Sequence, residues 1–242
     1  MVEAALAVAG LARRFRGGAG IHGVNLRIEP GEICAVVGLN GAGKSTFMKL
    51  VLGMLRPDAG TVMVKCVDIR DAPAMTWAKV GHVVEHPFAY PELTTRANLG
   101  LGARLHAVEP TKIKRVVEDA LDELALGPYA NVRAGVLSSG NRQRLGLASA
   151  LQHNPSLIVL DEPTNTLDPA GVILLREALL RRARRTGAAV LVSSHHLDEV
   201  ARIADRILVL NEGRIIGGLD PGGVDIERSF FALIHADTEE SA

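Results

Sequence analysis

Residues Gly38-Leu39-Asn40-Gly41-Ala42-Gly43-Lys44-Ser45 satisfy the pattern G-x-x-x-x-G-K-[ST] at every fixed position. Glycines at 41 and 43 let the backbone turn tightly, so that successive N–H groups point inward at phosphate oxygens. A helix that follows adds its positive end. Lys44 would then reach β- and γ-phosphates, Ser45 would ligate Mg²⁺, and Thr46 could contact the α-phosphate. The chemistry this spacing points to is binding of a nucleoside triphosphate with its magnesium ion. A plain glycine-rich turn is the competing reading; an apolar run before the loop and a helical pattern after it favour the phosphate site.

Two further segments carry chemistry. The apolar run Leu157–Leu160 ends in Asp161 and Glu162. An acid at the end of a strand beside a phosphate loop is the expected Mg²⁺ anchor, here Asp161, and Glu162 is placed to orient and deprotonate an attacking water. A helix N-cap is the plain alternative for such a pair. Upstream, Leu137-Ser138-Ser139-Gly140-Asn141 opens a helical pattern. Ser138 offers a hydroxyl, and the small residues Ser139 and Gly140 leave backbone N–H groups open, an anion site with no acid of its own. An ordinary Ser-capped helix fits the same residues.

These residues need elements to hold them. Val24-Asn25-Leu26-Arg27-Ile28 alternates as a half-buried strand does, and Pro30-Gly31 marks a turn before an apolar strand at 32–37 that feeds the loop. A helix is expected over 46–55, and further strands around Val62 and Val64 and around Val80, Val83 and Val84. From about 87 to 155 the pattern is helical: Ile113, Val116, Val117, Ala120, Leu121 and Leu124 follow three-four spacing, opened by Pro110. Strands return at 157–160, 188–192 and 206–210, and Asp168-Pro169 is a helix start with Asp as cap. Alternating strands and helices on both sides of a helical block predict one α/β core with a helical insertion.

Composition removes several classes of function. Lys+Arg and Asp+Glu are balanced at 27 each, which argues against nucleic-acid binding through a basic footprint. Arg181-Arg182-Ala183-Arg184-Arg185 ends a helical pattern, where cations complement the dipole, and is expected to be a solvated face. Cys34 and Cys66 lie in apolar, strand-like stretches without metal spacing and are expected to be buried, reduced thiols. The long uncharged run at 145–160 is broken by His153-Asn154-Pro155, short of a membrane span. Glu3 precedes the arginines at the N-terminus, the reverse of a signal peptide, so a cytoplasmic location is expected.

Taken together the motifs resemble those of the nucleotide-binding subunit of an ATP-binding cassette (ABC) transporter, over nearly the whole chain. Leu137-Ser138-Ser139-Gly140-Asn141-Arg142-Gln143-Arg144 resembles the family signature LSGGQ-x-Q-R, and Thr164-Asn165-Thr166-Leu167-Asp168 its D-loop. Ser193-Ser194-His195 falls at the switch histidine, whose imidazole could hydrogen-bond the γ-phosphate and hold the geometry of water and Glu162. Phe15, 23 residues before Gly38, matches the aromatic that stacks on adenine. The resemblance implies a P-loop NTPase core, a mixed sheet flanked by helices with an antiparallel portion, plus a helical subdomain. It implies a single domain over 1–242, with core at about 1–86 and 156–242 and the helical subdomain at about 87–155. It also implies ATP and Mg²⁺ as ligands and ATP hydrolysis to ADP and phosphate as the reaction. A second copy is implied to pair head to tail, so that Ser138 and Gly140 complete the other copy's site. A separate integral membrane permease is implied as the transport partner, with the chain at the cytoplasmic face of the membrane and no nucleic acid bound.

Two departures stand out. Glu85, in Val83-Val84-Glu85-His86-Pro87, replaces a usual glutamine that touches Mg²⁺ and the attacking water; a carboxylate ligates Mg²⁺ but cannot donate a hydrogen bond when ionised. This loop, with Tyr90-Pro91-Glu92-Leu93-Thr94, resembles that of lantibiotic- and bacitracin-type self-protection exporters. Ser139 and Asn141 replace the signature's glycine and glutamine. The rival reading is a soluble ABC-type ATPase acting on nucleic acid or ribosomes, whose members carry long insertions or two cassettes; a P-loop kinase would not need residues 138–141 or His195.

Overall fold

Period-two burial shapes the first strands and continuous burial the central ones, in a computed structural model described for residues 3–241, with side chains to residue 239. Residues 1, 2 and 242 of the expected domain span lie outside the described residues. The chain forms two compact units, Met1–Asp71 with Ala189–Ala242, and Ala72–Ala188. The first passage through unit one runs β1 (Leu6–Arg14), β2 (Gly20–Ile28), β3 (Ile33–Val37), α1 (Lys44–Val51), β4 (Ala59–Val64) and β5 (Val67–Asp68). The second unit holds α2 (Ala74–Trp77), β6 (Val80–Val83), α3 (Thr95–Leu105), α4 (Ile113–Glu123), α5 (Ser139–Leu151), β7 (Leu157–Leu160) and α6 (Pro169–Thr186). The chain then returns to unit one as β8 (Ala189–Ser194), α7 (Leu197–Ala201), β9 (Arg206–Asn211), β10 (Arg214–Leu219) and α8 (Ile226–Ser241).

In unit one, β2 buries Ile21, Val24, Leu26 and Ile28 and turns Asn25 and Arg27 out, so one face must be covered. It pairs antiparallel with β1, which pairs antiparallel with β4, and Leu6 stands opposite both Ile28 and Val64. By contrast all five residues of β3 are buried, as a strand covered on both faces requires. It lies parallel between β8 and β9, with β10 antiparallel on the far side of β9. A mixed sheet and an antiparallel sheet thus share this unit, matching the α/β class with an antiparallel portion. α8 docks on β10: Leu233 covers Gly217, and Asp237 accepts hydrogen bonds from Asn211 and Arg214.

In unit two, β6 and β7 pair in parallel and α3, α4 and α5 form a helical block within 95–151. Pro110 opens a 3₁₀ turn, Pro110–Lys112, which runs into α4. α4 and α6 are fastened through charge. Arg182 is buried and donates through both terminal nitrogens to Glu123, at 2.6 and 2.7 Å, with further bonds to the carbonyls of Ala178 and Leu151. Arg181 also reaches Glu123. The arginine run is therefore not simply a solvated face: a buried guanidinium needs a carboxylate and several acceptors, and Glu123 supplies the charge.

Other expectations are corrected in detail. The helix after the loop starts at Lys44 and stops at Val51, because Gly43 turns the chain directly into it at φ +107° and Gly53 leaves it at φ +67°. Cys34 is buried, and burial pushes its thiol up to about 12. Cys66 is exposed in the turn between β4 and β5 at φ +58°, not in a strand. The first strand of the second passage, β8, runs on through Ser193 and Ser194.

His106, just after α3, stacks on His153, just after α5, with ring centroids 3.7 Å apart and planes at 6°. Burial, with His106 beside it, pushes the His153 imidazole down to about 3. Its unfolded value is near 6.5, so the folded state refuses a proton that the unfolded state accepts. The stability this gives is complete above pH about 6.5 and is lost progressively as pH falls toward 3. Unfolding at pH 5 should therefore be easier than at pH 7.5 by an amount on the order of 2 kcal/mol from this group. Urea midpoints of wild type and His153→Gln at the two pH values check this; an equal pH slope in both would refute it.

Candidate functional site

The loop after β3 is shaped by its glycines. A side chain at Gly38 would run into the Leu210 carbonyl, and Gly41 and Gly43 sit at φ +86° and +107°, which L side chains rarely adopt. Leu39, Asn40 and Gly41 are exposed while Ala42 is buried, so the loop arches over its own anchor. α1 has no acid in its first turn and no side-chain cap, which leaves its first amides available to an anion. Lys44 is buried, and its Nζ donates to the carbonyls of Gly38 at 2.8 Å and Leu39 at 3.4 Å. Its ammonium thus waits inside the curve of the loop. Ser45 and Thr46 are half-buried on the same turn.

The same unit brings His195 to this loop. His195 follows β8, the parallel neighbour of β3, and is exposed with its ring 4.0 Å from that of His196. A cavity of about 500 Å³ is lined by Gly38, Leu39 and Asn40 together with His195 and, from α8, Glu227 and Phe230. Phe15 lies on the β1–β2 turn, 40% exposed, with Arg13 5.5 Å above its ring. That exposure leaves a ring face for stacking.

Unit two carries the acids. Val83 of β6 stands opposite Leu160 of β7, and the Asp161 N–H donates to the Val83 carbonyl at 2.8 Å. Glu85 and Asp161 consequently leave the same ends of two neighbouring parallel strands, the edge where open α/β sheets carry their ligand sites. Asp161 is buried, Glu162 half-buried and Glu85 exposed. Glu85 and Glu162 both have left-handed backbones, φ +65° and +46°. Such a conformation costs a non-glycine residue about 1 kcal/mol or more, and it persists only where the surroundings impose it.

Ser138 is the N-cap of α5, its Oγ accepting the Asn141 N–H at 3.2 Å. The cap leaves the hydroxyl proton free to donate outward. Ser138 and Ser139 are exposed, and the first turn of α5 carries no acid. Asp168 caps α6, accepting the Gly171 N–H at 2.9 Å, and it pairs with Arg144; Arg144 first, then that N–H, hold its carboxyl below the usual carboxylate range.

Sequence reasoning missed two contributors. α8 was not foreseen, although Ile226, Phe230 and Leu233 recur at helical spacing. Gln143 and Arg144 were read only as letters of a motif, whereas Gln143 is buried and donates to the Pro163 carbonyl at 3.0 Å.

Comparison with known proteins identifies the family and the fold. The family described as ABC transporter matches residues 21–165. YdbJ of Bacillus subtilis, an uncharacterized ABC transporter ATP-binding protein, is 32% identical over all of this chain and 77% of its own length. The bacitracin transport ATP-binding protein BcrA of Enterococcus faecalis is 36% identical over 81% of this chain and 63% of its own length. The ribose import ATP-binding protein RbsA 1 of Burkholderia thailandensis is 34% identical over 93% of this chain and 46% of its own. The chain therefore spans about three quarters of the first of these relatives, and less than two thirds of the other two. Among solved structures, an ATP-binding subunit of an ABC transporter superposes with TM-score 0.83 at 28% identity, covering 94% of this chain and 93% of the other. The dimeric bacterial ABC transporter cassette MJ0796 gives 0.82 at 25% identity, covering 90% and 99%. With a phosphate loop over a buried lysine, a strand-end acid pair and a helical insertion in a P-loop NTPase fold, this chain belongs to the ABC transporter family, as an ATP-binding and ATP-hydrolysing member.

Proposed function

We propose that two copies of this chain pair head to tail around two Mg·ATP and drive a separate membrane permease. The observation that carries the reading is the first turn of α5: an exposed helix end with Ser138, Ser139 and Gly140, no acid, and a hydroxyl proton to give. It is a second anion site, distinct from the loop at 38–46, and pairing of copies gives it a phosphate to bind. The dimeric cassette MJ0796 is consistent with this.

In each copy the loop amides cradle the phosphates, and Lys44 exchanges the Gly38 and Leu39 carbonyls for β- and γ-phosphate oxygens. Phe15 stacks on the base. Glu162 takes the proton of the attacking water, and His195 holds the γ-phosphate. The oxygens of Ser45, Asp161 and Glu85 are hard donors that suit Mg²⁺. Among the described residues no group of three His, Cys, Asp or Glu could hold a metal alone, as fits a cation bound chiefly by phosphate and water oxygens. Held by Ser45, Asp161 and Glu85, Mg²⁺ would supply positive charge to offset that of the phosphate oxygens.

The permease contact is proposed beside Glu85. Phe88 is 74% exposed and stands edge-on to Tyr90 at 5.0 Å, and Val136, 76% exposed, adjoins Gly135, whose N–H donates to Pro91. Such an apolar group on unit two suits a partner's cytoplasmic helix. No described helix is long and apolar enough to cross a membrane. Export of a peptide antibiotic or drug is proposed from Glu85 and the loop around it, which resembles bacitracin-type exporters, with BcrA among the relatives and the importer RbsA 1 as the counterexample.

The test is recovery of partners by the tagged chain from a detergent extract. A polytopic membrane protein, retained in the presence of ATP, is the expected companion. Ribosomes or DNA without a membrane protein would overturn the transport reading in favour of a soluble ATPase.

A further inference from the structure

Gly140, Gln143 and Arg144 stand at i, i+3 and i+4 on α5 and therefore share one face of that helix. All three meet the same short stretch, residues 162–168. A β-carbon on Gly140 would lie 2.9 Å from the Thr166 carbonyl oxygen, so only glycine lets the helix approach this closely. Arg144 pairs with Asp168, the cap of α6. Between them the buried Gln143 donates through Nε2 to the Pro163 carbonyl at 3.0 Å.

That carbonyl belongs to the residue after Glu162. Glu162 precedes a proline, which favours an extended backbone, yet it stands at φ +46°. A residue in so disfavoured a conformation keeps it only while its neighbours are held. Pro163 is buried, and the Asp161 N–H is tied to β6 through Val83. The amide of Gln143 fastens the other side of Glu162.

We propose that Gln143 is a positioning residue for Glu162: its amide, acting through the Pro163 carbonyl, sets the direction in which the carboxylate points. Because Gln143 lies one turn beyond Ser138–Gly140, α5 links the anion-binding helix end to the carboxylate of the same chain. A phosphate drawn onto Ser138 by the second copy is thereby communicated to Glu162. This rests on the reading of Glu162 as the general base.

The experiment uses the full-length protein and three variants. Gln143→Met keeps length and apolar volume but has no donor. Gln143→Glu donates to Pro163 only while protonated. Glu162→Gln controls for the reading itself. Gln143→Met is expected to lower kcat by about 10- to 100-fold, the scale of misplacing a catalytic group by about 1 Å. KM for MgATP should stay near wild type, since the phosphate loop is untouched, while the orphaned Pro163 carbonyl should lower the unfolding midpoint modestly. For Gln143→Glu, kcat relative to wild type should rise as pH is lowered from 9 to 6. Packing alone would give neither that pH dependence nor the split between kcat and KM. Wild-type kcat in Gln143→Met, or a flat pH ratio in Gln143→Glu, overturns the proposal. Should Gln143→Met fail to fold, the pH ratio decides alone. If Glu162→Gln turns over like wild type, the base assignment falls and the proposal with it; if Glu162→Gln is inactive while both Gln143 variants are unimpaired, only the role of Gln143 falls.

Discussion

Glu162→Gln is expected to bind ATP, to remain paired in its presence and to hydrolyse it at a small fraction of the wild-type rate. The substitution keeps volume and leaves the left-handed backbone at φ +46° as accessible to glutamine as to glutamate. What it removes is a group able to accept a proton. General-base assistance contributes about 10²- to 10⁴-fold, so single-turnover hydrolysis should fall by that order. With turnover blocked, the proposed closed pair should accumulate, since on that reading it opens only after the γ-phosphate is lost. Size-exclusion chromatography with and without Mg·ATP should show the dimer in the variant alone, and phosphate release should be near background. Turnover at the wild-type rate would remove Glu162 from the role of base.

Lys44→Ala should abolish measurable ATP binding. Lys44 is buried, with its ammonium 2.8 Å from the Gly38 carbonyl oxygen, inside the curve that the phosphates are to occupy. A charged donor to phosphate at such a site is among the strongest of hydrogen-bonding partners. Its loss should weaken affinity by about 100-fold or more, on the order of 3 kcal/mol. The variant also deprives the carbonyls of Gly38 and Leu39 of their donor, so the unfolding midpoint should be measured beside titration calorimetry with ATP. Unchanged affinity would count heavily against the loop as the nucleotide site.

Much of the fold was legible because its signals are local. Asp168-Pro169 announces a helix that begins at Pro169 with Asp168 bound to the Gly171 N–H three residues on. The spacing of Val117, Ala120 and Leu121 marks the buried face of α4. The apolar run before Gly38 is buried at every residue of β3. Cys66 was misread for the opposite reason: the apolar residues around it belong to two strands, and the turn that exposes it carries no glycine or proline. Arg182 was misread because a cation at a helix end is usually solvated, and nothing near it in sequence shows Glu123 waiting 59 residues away.

The site divides in the same way. The amino-acid order alone determined that the chain carries a phosphate-loop pattern, a strand-end acid pair and a Ser-capped helix start free of acid. Each of these is a contiguous segment whose glycines, hydroxyls and charges act through backbone geometry within a few residues. Only the tertiary structure decided that Lys44 is sheltered by the loop carbonyls, that Glu85 and Asp161 leave neighbouring strand ends, and that Gln143 holds the peptide beyond Glu162. Those relations join groups brought together by sheet pairing and helix packing, whose partner, unlike a cap or a turn, lies across the fold and leaves no mark at its own position in the chain.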